Sequence, residues 1–313
     1  MKKCLYCYKP IGSEEGDFHP GCSKKIFGLT MPSAIPFSES DLEPLAKEII
    51  NNHTAVAGVQ TKLSLHISVD SNGIPAKRFA IAGLWGGYIL KPQVSLYPHL
   101  PEVEDLTMHL AELAKIRTAP HSLIRTSSGN LAYITRRIDR SKTGKLAMED
   151  FCQLTERMTE DKYHGSYEQI GRAIRKYSSA PGLDVINFFE LVLFSFLTGN
   201  ADMHLKNFSL LEHPGIGMIL SPAYDLVNTA LVNPNDKEDL ALTLNAKKRK
   251  IRRSDFIAAM NTLKVDEKQQ QNIFNKMIKA APKWTEFIDS SFLNDDYKER
   301  YKEIIFERLS RIS

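Results

Sequence analysis

Alternating apolar and polar residues predict a series of short strands between residues 61 and 138. Residues 62–69, KLSLHISV, alternate with the period of two that a half-buried strand requires, and Ser71-Asn72-Gly73 predicts a turn after them. Four later stretches are also predicted as strands: residues 78–82, 87–91, 121–126 and 131–138. Apolar residues at helical spacing over 103–116 add one helix. One helix among short strands indicates a small α+β lobe.

Beyond about residue 147 the apolar pattern becomes helical. Residues 184–197 are apolar almost all round, which predicts the buried central helix of a second lobe. Three further helices are expected: one capped by Ser254 and Asp255 and running to about Leu263, one over 266–280 and one over 295–309. A β-rich lobe followed by a helical lobe is the arrangement of kinases, although other folds share it.

Composition and charge narrow the class of protein. The chain has 313 residues, 42% apolar and 25% charged, which is ordinary for a globular protein of two lobes. A net charge of +4 is too small to indicate nucleic-acid binding by itself. The chain contains no run of ~18 apolar residues, so the sequence does not predict a membrane-spanning helix. The N-terminus, MKKCLYCYKP, lacks the apolar core of a secretory signal, so we expect a cytoplasmic protein.

Three of the four cysteines lie near the N-terminus, in the pattern Cys4-x-x-Cys7 followed by His19-x-x-Cys22. Four soft ligands at this spacing suit a structural tetrahedral zinc site. The segment is too short to build a core of its own, so metal binding can drive its folding. The alternative is three reduced thiols and a surface histidine. Cys152 stands alone and is predicted to be buried.

The most informative polar segment is TGNADMHLKNF, residues 198–208, directly after the predicted central helix. It places Lys206 four residues and Asn207 five residues after Asp202. Kinase catalytic loops have an aspartate that accepts the proton of the substrate hydroxyl and, five residues on, an asparagine that binds magnesium. The alternative is a solvated turn after a helix.

A second polar segment, SPAYDLV, contains Asp225. Residues 208–211 and 218–220 flank a glycine-containing turn, which predicts a hairpin that returns the chain to the loop. Asp225 would then lie beside Asn207, and two oxygen ligands together with ATP phosphates suit Mg²⁺. The alternative is a helix-initiating aspartate.

The β-rich lobe is expected to bind ATP. Gly58, within AGVQTK, lets backbone N–H groups approach phosphates. Lys91 ends a predicted strand, where a phosphate-contacting lysine would lie, and Glu104 on the following helix can pair with it. A solvated strand end is the alternative for Lys91.

Taken together, these residues resemble the HipA family of serine/threonine kinases, the toxins of bacterial toxin–antitoxin pairs. The resemblance runs from about residue 52 to the C-terminus, and its strongest parts are AGVQTKLSL, YILKP, RRIDRS, MEDFCQL, TGNADMHLKNFSL and SPAYDLVNT. It implies that Asp202 is the catalytic base, aided by His204 and Lys206, and that Asn207 and Asp225 bind Mg²⁺. It also implies a set of ATP-binding residues: Ala57, Gly58, Val59, Gln60, Lys62, Lys91, Glu104, Arg136, Arg137, Ile138, Gln153 and Tyr224.

The resemblance implies a two-lobed protein-kinase-like fold of the α+β class. Residues 1–30 would form a Cys-rich zinc knuckle, 31–50 a linker, 51–146 the β-rich ATP-binding lobe and 147–313 the helical catalytic lobe. The motif DMHLKNF and the short length resemble the compact HipT type. HipA kinases often phosphorylate their own phosphate loop at serine, where this chain has Ala55 and Ala57. Three explanations stay open: Thr54 is phosphorylated instead, the control is absent, or serine was replaced to trap one state.

The resemblance also implies a protein substrate, an aminoacyl-tRNA synthetase, and small HipS-like or HipB-like antitoxin partners. Phosphorylation would stop translation. Alternatives are a HipA-like kinase secreted as an effector on host proteins and a zinc-bearing pseudokinase scaffold. Residues 247–253, KKRKIRR, carry six basic residues in seven. This run either contacts nucleic acid, such as tRNA on a synthetase, or is a solvated face beside an acidic partner. We expect contact with nucleic acid only indirectly.

Overall fold

The computed structural model describes residues 2–12, 16–30, 35–38, 40–41, 62–69, 75–82, 86–141 and 144–313. The chain divides into two compact units. The first comprises Met1–Asp105, Ala119–Ile138 and Ser290–Leu293, and the second comprises Leu106–Thr118, Asp139–Asp289 and Asn294–Ser313. Sheet dominates the first unit and helix the second, which confirms the predicted α+β class. The domain limits drawn from the sequence stay predictions.

The first unit is built on a five-stranded antiparallel sheet. Its strands are β1 (Leu63–Val69), β2 (Pro75–Ile81), β3 (Tyr88–Pro92), β4 (His121–Arg125) and β5 (Leu131–Arg136). They lie in the order β2-β1-β3-β5-β4. In β1, Leu63 and Leu65 are fully buried while His66 is exposed, so the alternation seen in the sequence separates the two faces. All five predicted strands are confirmed, with ends shifted by a few residues.

The first unit also contributes helices. Helix α2 (Leu100–Leu113) follows β3 and confirms the predicted helix. Helix α1 (Pro20–Phe27) was not predicted, although proline at its first position and Gly28 in the left-handed conformation at its end are typical signals. Its last residue, Phe27, packs edge-on against Phe79 of β2, with 5.8 Å between ring centroids.

The second unit contains two small sheets. Strands β8 (Met148–Asp150), β9 (Ser209–His213) and β10 (Gly217–Leu220) form one sheet in the order β10-β9-β8. A short ribbon joins β6 (Arg140–Ser141) to β7 (Gly144–Lys145). The antiparallel pair β9–β10, with Gly217 opposite His213, is the hairpin that the sequence predicts.

Helices make up most of the second unit. They are α3 (Phe151–Leu154), α4 (Tyr167–Tyr177), α5 (Pro181–Leu197), α6 (Thr229–Val232), α7 (Arg253–Thr262), α8 (Glu267–Asp289) and α9 (Asp295–Ser310). The prediction of a buried central helix is confirmed by α5, in which Phe188, Phe189 and Phe194 are all inaccessible to solvent. Among the described residues, no helix combines the length and apolar character needed to cross a membrane.

Two predicted helix ends were wrong. Arg252, not Ser254, is the residue before α7, and its N–H donates to Asp255 Oδ2 at 2.9 Å. Helix α8 continues past the predicted end at Ala280, through Pro282, to Asp289. Pro282 lies on the exposed face, whereas Trp284 beyond it is fully buried and donates to Leu110 O at 2.9 Å. Burial of the later turns therefore outweighs the hydrogen bond that the proline removes.

Candidate active site

The loop that follows α5 is held by its neighbours before any ligand is considered. Gly199 adopts φ 69°, and a Cβ there would lie 2.7 Å from Asn228 Oδ1, so the position requires glycine. The N–H of Ala201 donates to Thr229 Oγ1 at 2.8 Å, and the N–H of Asp202 donates to Asn200 Oδ1 at 3.1 Å. The loop thus leaves a buried helix in one fixed direction.

Asp202 and Asn207 are joined directly. The Asn207 side-chain nitrogen donates to the backbone oxygen of Asp202 at 2.9 Å, across the 3₁₀ turn Leu205–Asn207. This bond fixes which way the amide faces and turns its oxygen away from that carbonyl. An oxygen held in this way is a suitable Mg²⁺ ligand. The five-residue spacing therefore brings the Asn207 side chain to the Asp202 backbone, and the role of both residues stays a prediction.

The carboxylate of Asp202 has a partner that the sequence analysis missed. The Tyr163 hydroxyl donates to Asp202 Oδ1 at 2.5 Å. The ring of Tyr163 also meets the His204 imidazole edge-on, with 4.9 Å between centroids. Burial and the charge of Asp202 raise the pKa of Tyr163, so its hydroxyl stays a donor at neutral pH. No local pattern marks Tyr163, which lies 39 residues from Asp202.

His204 lies between acidic groups but is uncharged at neutral pH. Burial lowers the pKa of His204 to about 4, even though the negative charges of Asp202 and Asp225 act in the opposite direction. Both carboxylates therefore act on one imidazole ring. The neutral ring can position groups by packing and hydrogen bonding, and it adds no positive charge to the loop.

Lys206 is paired with an acidic residue outside the loop. Its Nζ lies 2.8 Å from Asp150 Oδ2. Asp150 also caps α3, where its Oδ1 accepts from the Gln153 N–H at 3.0 Å and its own N–H donates to Gln153 Oε1 at 2.9 Å. The Gln153 side chain thus supports a helix end, and its role in ATP binding stays a prediction. Asp150 lies in MEDFCQL, one of the segments that resemble the HipA family. That resemblance was the sequence signal that could have identified Asp150.

The hairpin brings Tyr224 and Asp225 back to the loop. The Tyr224 hydroxyl donates to Lys206 O at 3.1 Å and shares a hydrogen bond of 2.5 Å with the Ser209 hydroxyl. Asp225 follows in the left-handed conformation, with φ 56°. Non-glycine residues in this conformation are uncommon and cluster at functional sites. Oxygen donors from Asn207 and Asp225 make up a donor set suited to a hard divalent cation.

The first unit contains the predicted lysine–glutamate pair. Lys91 Nζ and Glu104 Oε1 form a salt bridge in which both side chains are almost fully buried. Lys91 also lies over the Tyr133 ring, 5.2 Å from its centroid. Burying two charges is costly unless they pair, so this pair must form whenever the unit is folded. The predicted pairing is confirmed, and the contact of Lys91 with ATP stays a prediction.

The structure describes only some of the other residues that were predicted to bind ATP. Arg136 ends β5, and the Arg137 N–H donates to Gly87 O at 2.8 Å. Ile138 belongs to the first unit, as do Arg136 and Arg137, and their contact with ATP stays a prediction. Lys62 is exposed. Five predicted positions lie outside the described residues: Thr54, Ala57, Gly58, Val59 and Gln60.

The four predicted zinc ligands converge in the first unit. The ligand atoms of Cys4, Cys7, His19 and Cys22 all lie within 4.8 Å of one another. His19 Nδ1 is 3.5 Å from Cys7 Sγ and 3.8 Å from Cys22 Sγ. The other cysteine, Cys152, is buried as predicted. The spacing in the sequence therefore does bring the four side chains together.

The basic run at 247–253 is partly used by the fold. Lys247 pairs with Asp255 at 2.7 Å, and Arg253 donates to Ile312 O at 2.7 Å. Arg249, Lys250 and Arg252 are exposed. Because contacts within the chain already use part of this run, the remaining positive charge is weak evidence for nucleic-acid binding. That contact stays a prediction.

The chain matches known proteins in sequence. Residues 54–285 match the family described as the HipA-like C-terminal domain. The Sinorhizobium fredii protein Y4dM, named as a kinase, is 31% identical over 234 residues, which are 70% of this chain and 51% of that protein. The serine/threonine-protein kinase toxin HipA of Shewanella oneidensis is 27% identical over 213 residues, 61% of this chain and 46% of that protein. The chain thus spans about half the length of the curated relatives it matches.

The fold is similar to a solved one. The structure of Shewanella oneidensis HipA in complex with HipB and operator DNA has a TM-score of 0.69 and 23% sequence identity to this chain. The match covers 89% of this chain and 71% of that one. At this identity the likeness shows the fold alone.

Proposed function

Since the chain belongs to the HipA-like C-terminal domain family, we propose that it is an ATP-dependent serine/threonine protein kinase. In this reaction the bond between the γ-phosphorus and its bridging oxygen breaks, and a new bond forms to the substrate hydroxyl. The hydroxyl proton passes to Asp202, and ADP leaves. Positioning and electrostatics supply most of the rate enhancement in such transfers.

Each residue of the loop has a role in this proposal. Asp202 aligns and deprotonates the hydroxyl, while Lys206 offsets negative charge near the transferring group. Asn207 and Asp225 would hold Mg²⁺, which supplies charge neutralisation on the phosphates when bound. Lys91, oriented by Glu104, binds ATP phosphates. His204 and Tyr224 shape the loop from within the fold.

The observation that carries the proposal is the joining of Asp202 to Asn207. Asn207 donates to the backbone oxygen of Asp202 at 2.9 Å, and Tyr224, the residue before Asp225, donates to the backbone oxygen of Lys206 in the same loop. These bonds support the assignment of Asp202 as the base and of Asn207 and Asp225 as metal ligands. A solvated turn would have no need of these bonds. An intact Asp202, Asn207 and Asp225 also disfavours the pseudokinase alternative.

We further propose that the kinase is the toxin of a type II toxin–antitoxin system, acts in the cytoplasm and phosphorylates an aminoacyl-tRNA synthetase. Supporting this, the Shewanella oneidensis relative is named a kinase toxin, and its structure is a complex with HipB and operator DNA. A small HipB-like or HipS-like antitoxin is the expected partner. The motif DMHLKNF favours the compact HipT type. A structural Zn²⁺ on Cys4, Cys7, His19 and Cys22 completes the proposed cofactors.

Replacing the proposed base tests the kinase activity. Asp202→Ala should lower transfer of labelled phosphate from ATP to glutamyl- or tryptophanyl-tRNA synthetase by about 10²- to 10⁴-fold, the usual contribution of a general base. The affinity for an ATP analogue should stay within a few-fold of the wild type, because Asp202 does not bind the nucleotide.

Asp296→Ala is a matched control, since Asp296 is an exposed aspartate of the same unit. It should retain full activity. Equal phosphate transfer by the wild type and Asp202→Ala would remove Asp202 from its role. No transfer to any synthetase, with Asp202-dependent transfer to another protein, would reject the target but keep the kinase.

A further inference from the structure

The N-terminal cluster has the dimensions of a metal site. Zn–S bonds of about 2.3 Å and Zn–N bonds of about 2.0 Å give a tetrahedron with edges of about 3.5–3.8 Å. The distances of 3.5 and 3.8 Å from His19 Nδ1 to the sulfurs of Cys7 and Cys22 match those edges. His19 Nε2 lies 3.1 Å from Pro10 O and donates to it, which leaves the Nδ1 lone pair facing the sulfurs. A carbonyl partner on the second ring nitrogen is the usual support of a zinc-bound histidine.

The turn around the first two ligands holds Tyr8 in an unfavourable conformation. Tyr8, directly after Cys7, has φ 63°. Its N–H donates to Cys4 O at 2.9 Å, and the Cys4 N–H donates to Lys9 O at 2.9 Å. A bulky residue in the left-handed region persists only where its surroundings fix it. A metal bound by Cys4 and Cys7 would fix this turn.

Tyr8 reaches from this turn to helix α2. Its hydroxyl is buried and donates to Asp105 Oδ2 at 2.8 Å. The other oxygen of Asp105 lies 2.6 Å from His121 Nδ1, on strand β4. Asp105 is fully buried, so these contacts replace its lost hydration. The helix is thereby attached to both the N-terminal turn and the sheet.

Asp105 is the neighbour of Glu104, the partner of Lys91. Consecutive side chains of a helix point about 100° apart. The two hydrogen bonds of Asp105 therefore also fix the direction in which the Glu104 side chain points. Because Lys91 and Glu104 are buried, water cannot replace either partner if the salt bridge is broken. Tyr8 and His121 fix the rotation of α2 about its axis. This rotation in turn determines the position of the Lys91 ammonium group.

The N-terminal segment is also attached to β4 itself. Leu5 O accepts from the Leu123 N–H at 3.3 Å and from the Ser122 hydroxyl at 3.1 Å. Leu5 lies between Cys4 and Cys7 in sequence, so loss of the metal would disturb this attachment as well. The segment cannot be released without a change at the sheet.

We propose that one Zn²⁺ bound by Cys4, Cys7, His19 and Cys22 holds Tyr8 against Asp105 and so positions the Glu104–Lys91 pair for ATP. Tyr8 and Asp105 are positioning residues in this scheme. The link to ATP rests on the proposed kinase function, whereas the metal site and its hold on α2 do not.

Metal analysis of the purified full chain tests the site. The expected result is one zinc per chain, lost in Cys7→Ser and kept in Cys152→Ala, the matched control outside the cluster. Zinc well below one per chain, with hydrogen exchange in α2 unchanged by a chelator, would overturn the site.

Tyr8→Phe tests the positioning, because it keeps all four ligands. It should retain zinc, speed hydrogen exchange in Leu100–Leu113 and raise KM for ATP roughly tenfold with kcat little changed, since it removes one hydrogen bond to a charged group. Tyr97→Phe, in the same unit, should behave as the wild type. Wild-type exchange and KM in Tyr8→Phe would overturn the scheme. If the wild type binds no ATP, the kinase proposal fails. Hydrogen exchange in Tyr8→Phe still tests whether Tyr8 holds α2.

Discussion

At the scale of single residues, the contact of Tyr163 with Asp202 bears most directly on the proposed chemistry. The tyrosine hydroxyl donates to the carboxylate that would accept the substrate proton. A substrate hydroxyl must make the same kind of bond to the same group. Tyr163 is 39% exposed, so it can move without disrupting the core. If Asp202 is the base, we expect Tyr163 to compete with the substrate in the free protein.

Tyr163→Phe should raise kcat/KM for the protein substrate by roughly tenfold, because a hydrogen bond to a charged group contributes about 1.5 kcal/mol. The measurement is initial-rate kinetics at fixed saturating ATP. Tyr177→Phe, equally exposed on α4, is the control and should leave the rate unchanged. A fall in kcat/KM in Tyr163→Phe would mean that the hydroxyl aids Asp202 and does not compete.

At the scale of elements, the second unit depends on close approach between helices. Gly171 lies in the middle of α4, and a Cβ there would collide with the Leu263 side chain at the end of α7. Arg175, one turn later, donates to Leu263 O at 3.0 Å through its Nε. Glycine is therefore required at this position for the packing of α4 against α7, despite its low helix propensity.

Gly171→Ala should lower the free energy of unfolding by about 1–3 kcal/mol, the usual cost of overpacking a core. Gly182→Ala is a matched control in α5, since a Cβ there meets nothing within 4 Å. It should leave stability unchanged or raise it by about 0.5–1 kcal/mol, because alanine loses less backbone freedom on folding. Urea unfolding followed by circular dichroism measures both, and equal stability of the two variants would contradict this account.

At the scale of the whole molecule, ligand binding should be visible as stability. A nucleotide that binds only the folded chain adds about 2.7 kcal/mol to the free energy of unfolding at a hundred times its Kd. If Asn207 and Asp225 hold Mg²⁺, part of that gain requires the metal. Asparagine tolerates the left-handed conformation at position 225, so Asp225→Asn changes the ligand and keeps the backbone.

Asp225→Asn should lose the Mg²⁺-dependent part of the rise in Tm that a non-hydrolysable ATP analogue gives the wild type. Asp296→Asn, at an exposed aspartate, should keep it. Thermal unfolding with the analogue, with and without Mg²⁺, is the measurement. A rise in Tm that is the same with and without Mg²⁺ in the wild type would contradict a metal role for these residues.

Features that depend on short-range spacing could be predicted from the order of residues alone. Alternation in KLSLHISV indicated which residues of β1 are buried, and the spacing of five residues from Asp202 to Asn207 predicted a contact within one loop. The Cys-x-x-Cys and His-x-x-Cys pairs likewise brought their ligands together. Periodicity and local geometry act over a few residues, and so they can be recognised from the order of residue types.

Contacts between distant parts of the chain became visible only when the elements were packed together. Tyr163 meets Asp202 across 39 residues, Asp150 meets Lys206 across 56, and Tyr8 meets Asp105 across 97. No local pattern specifies such pairs, because their distance depends on how whole elements pack. The extension of α8 through Pro282 has the same origin, since burial of Trp284 overrides a local helix breaker.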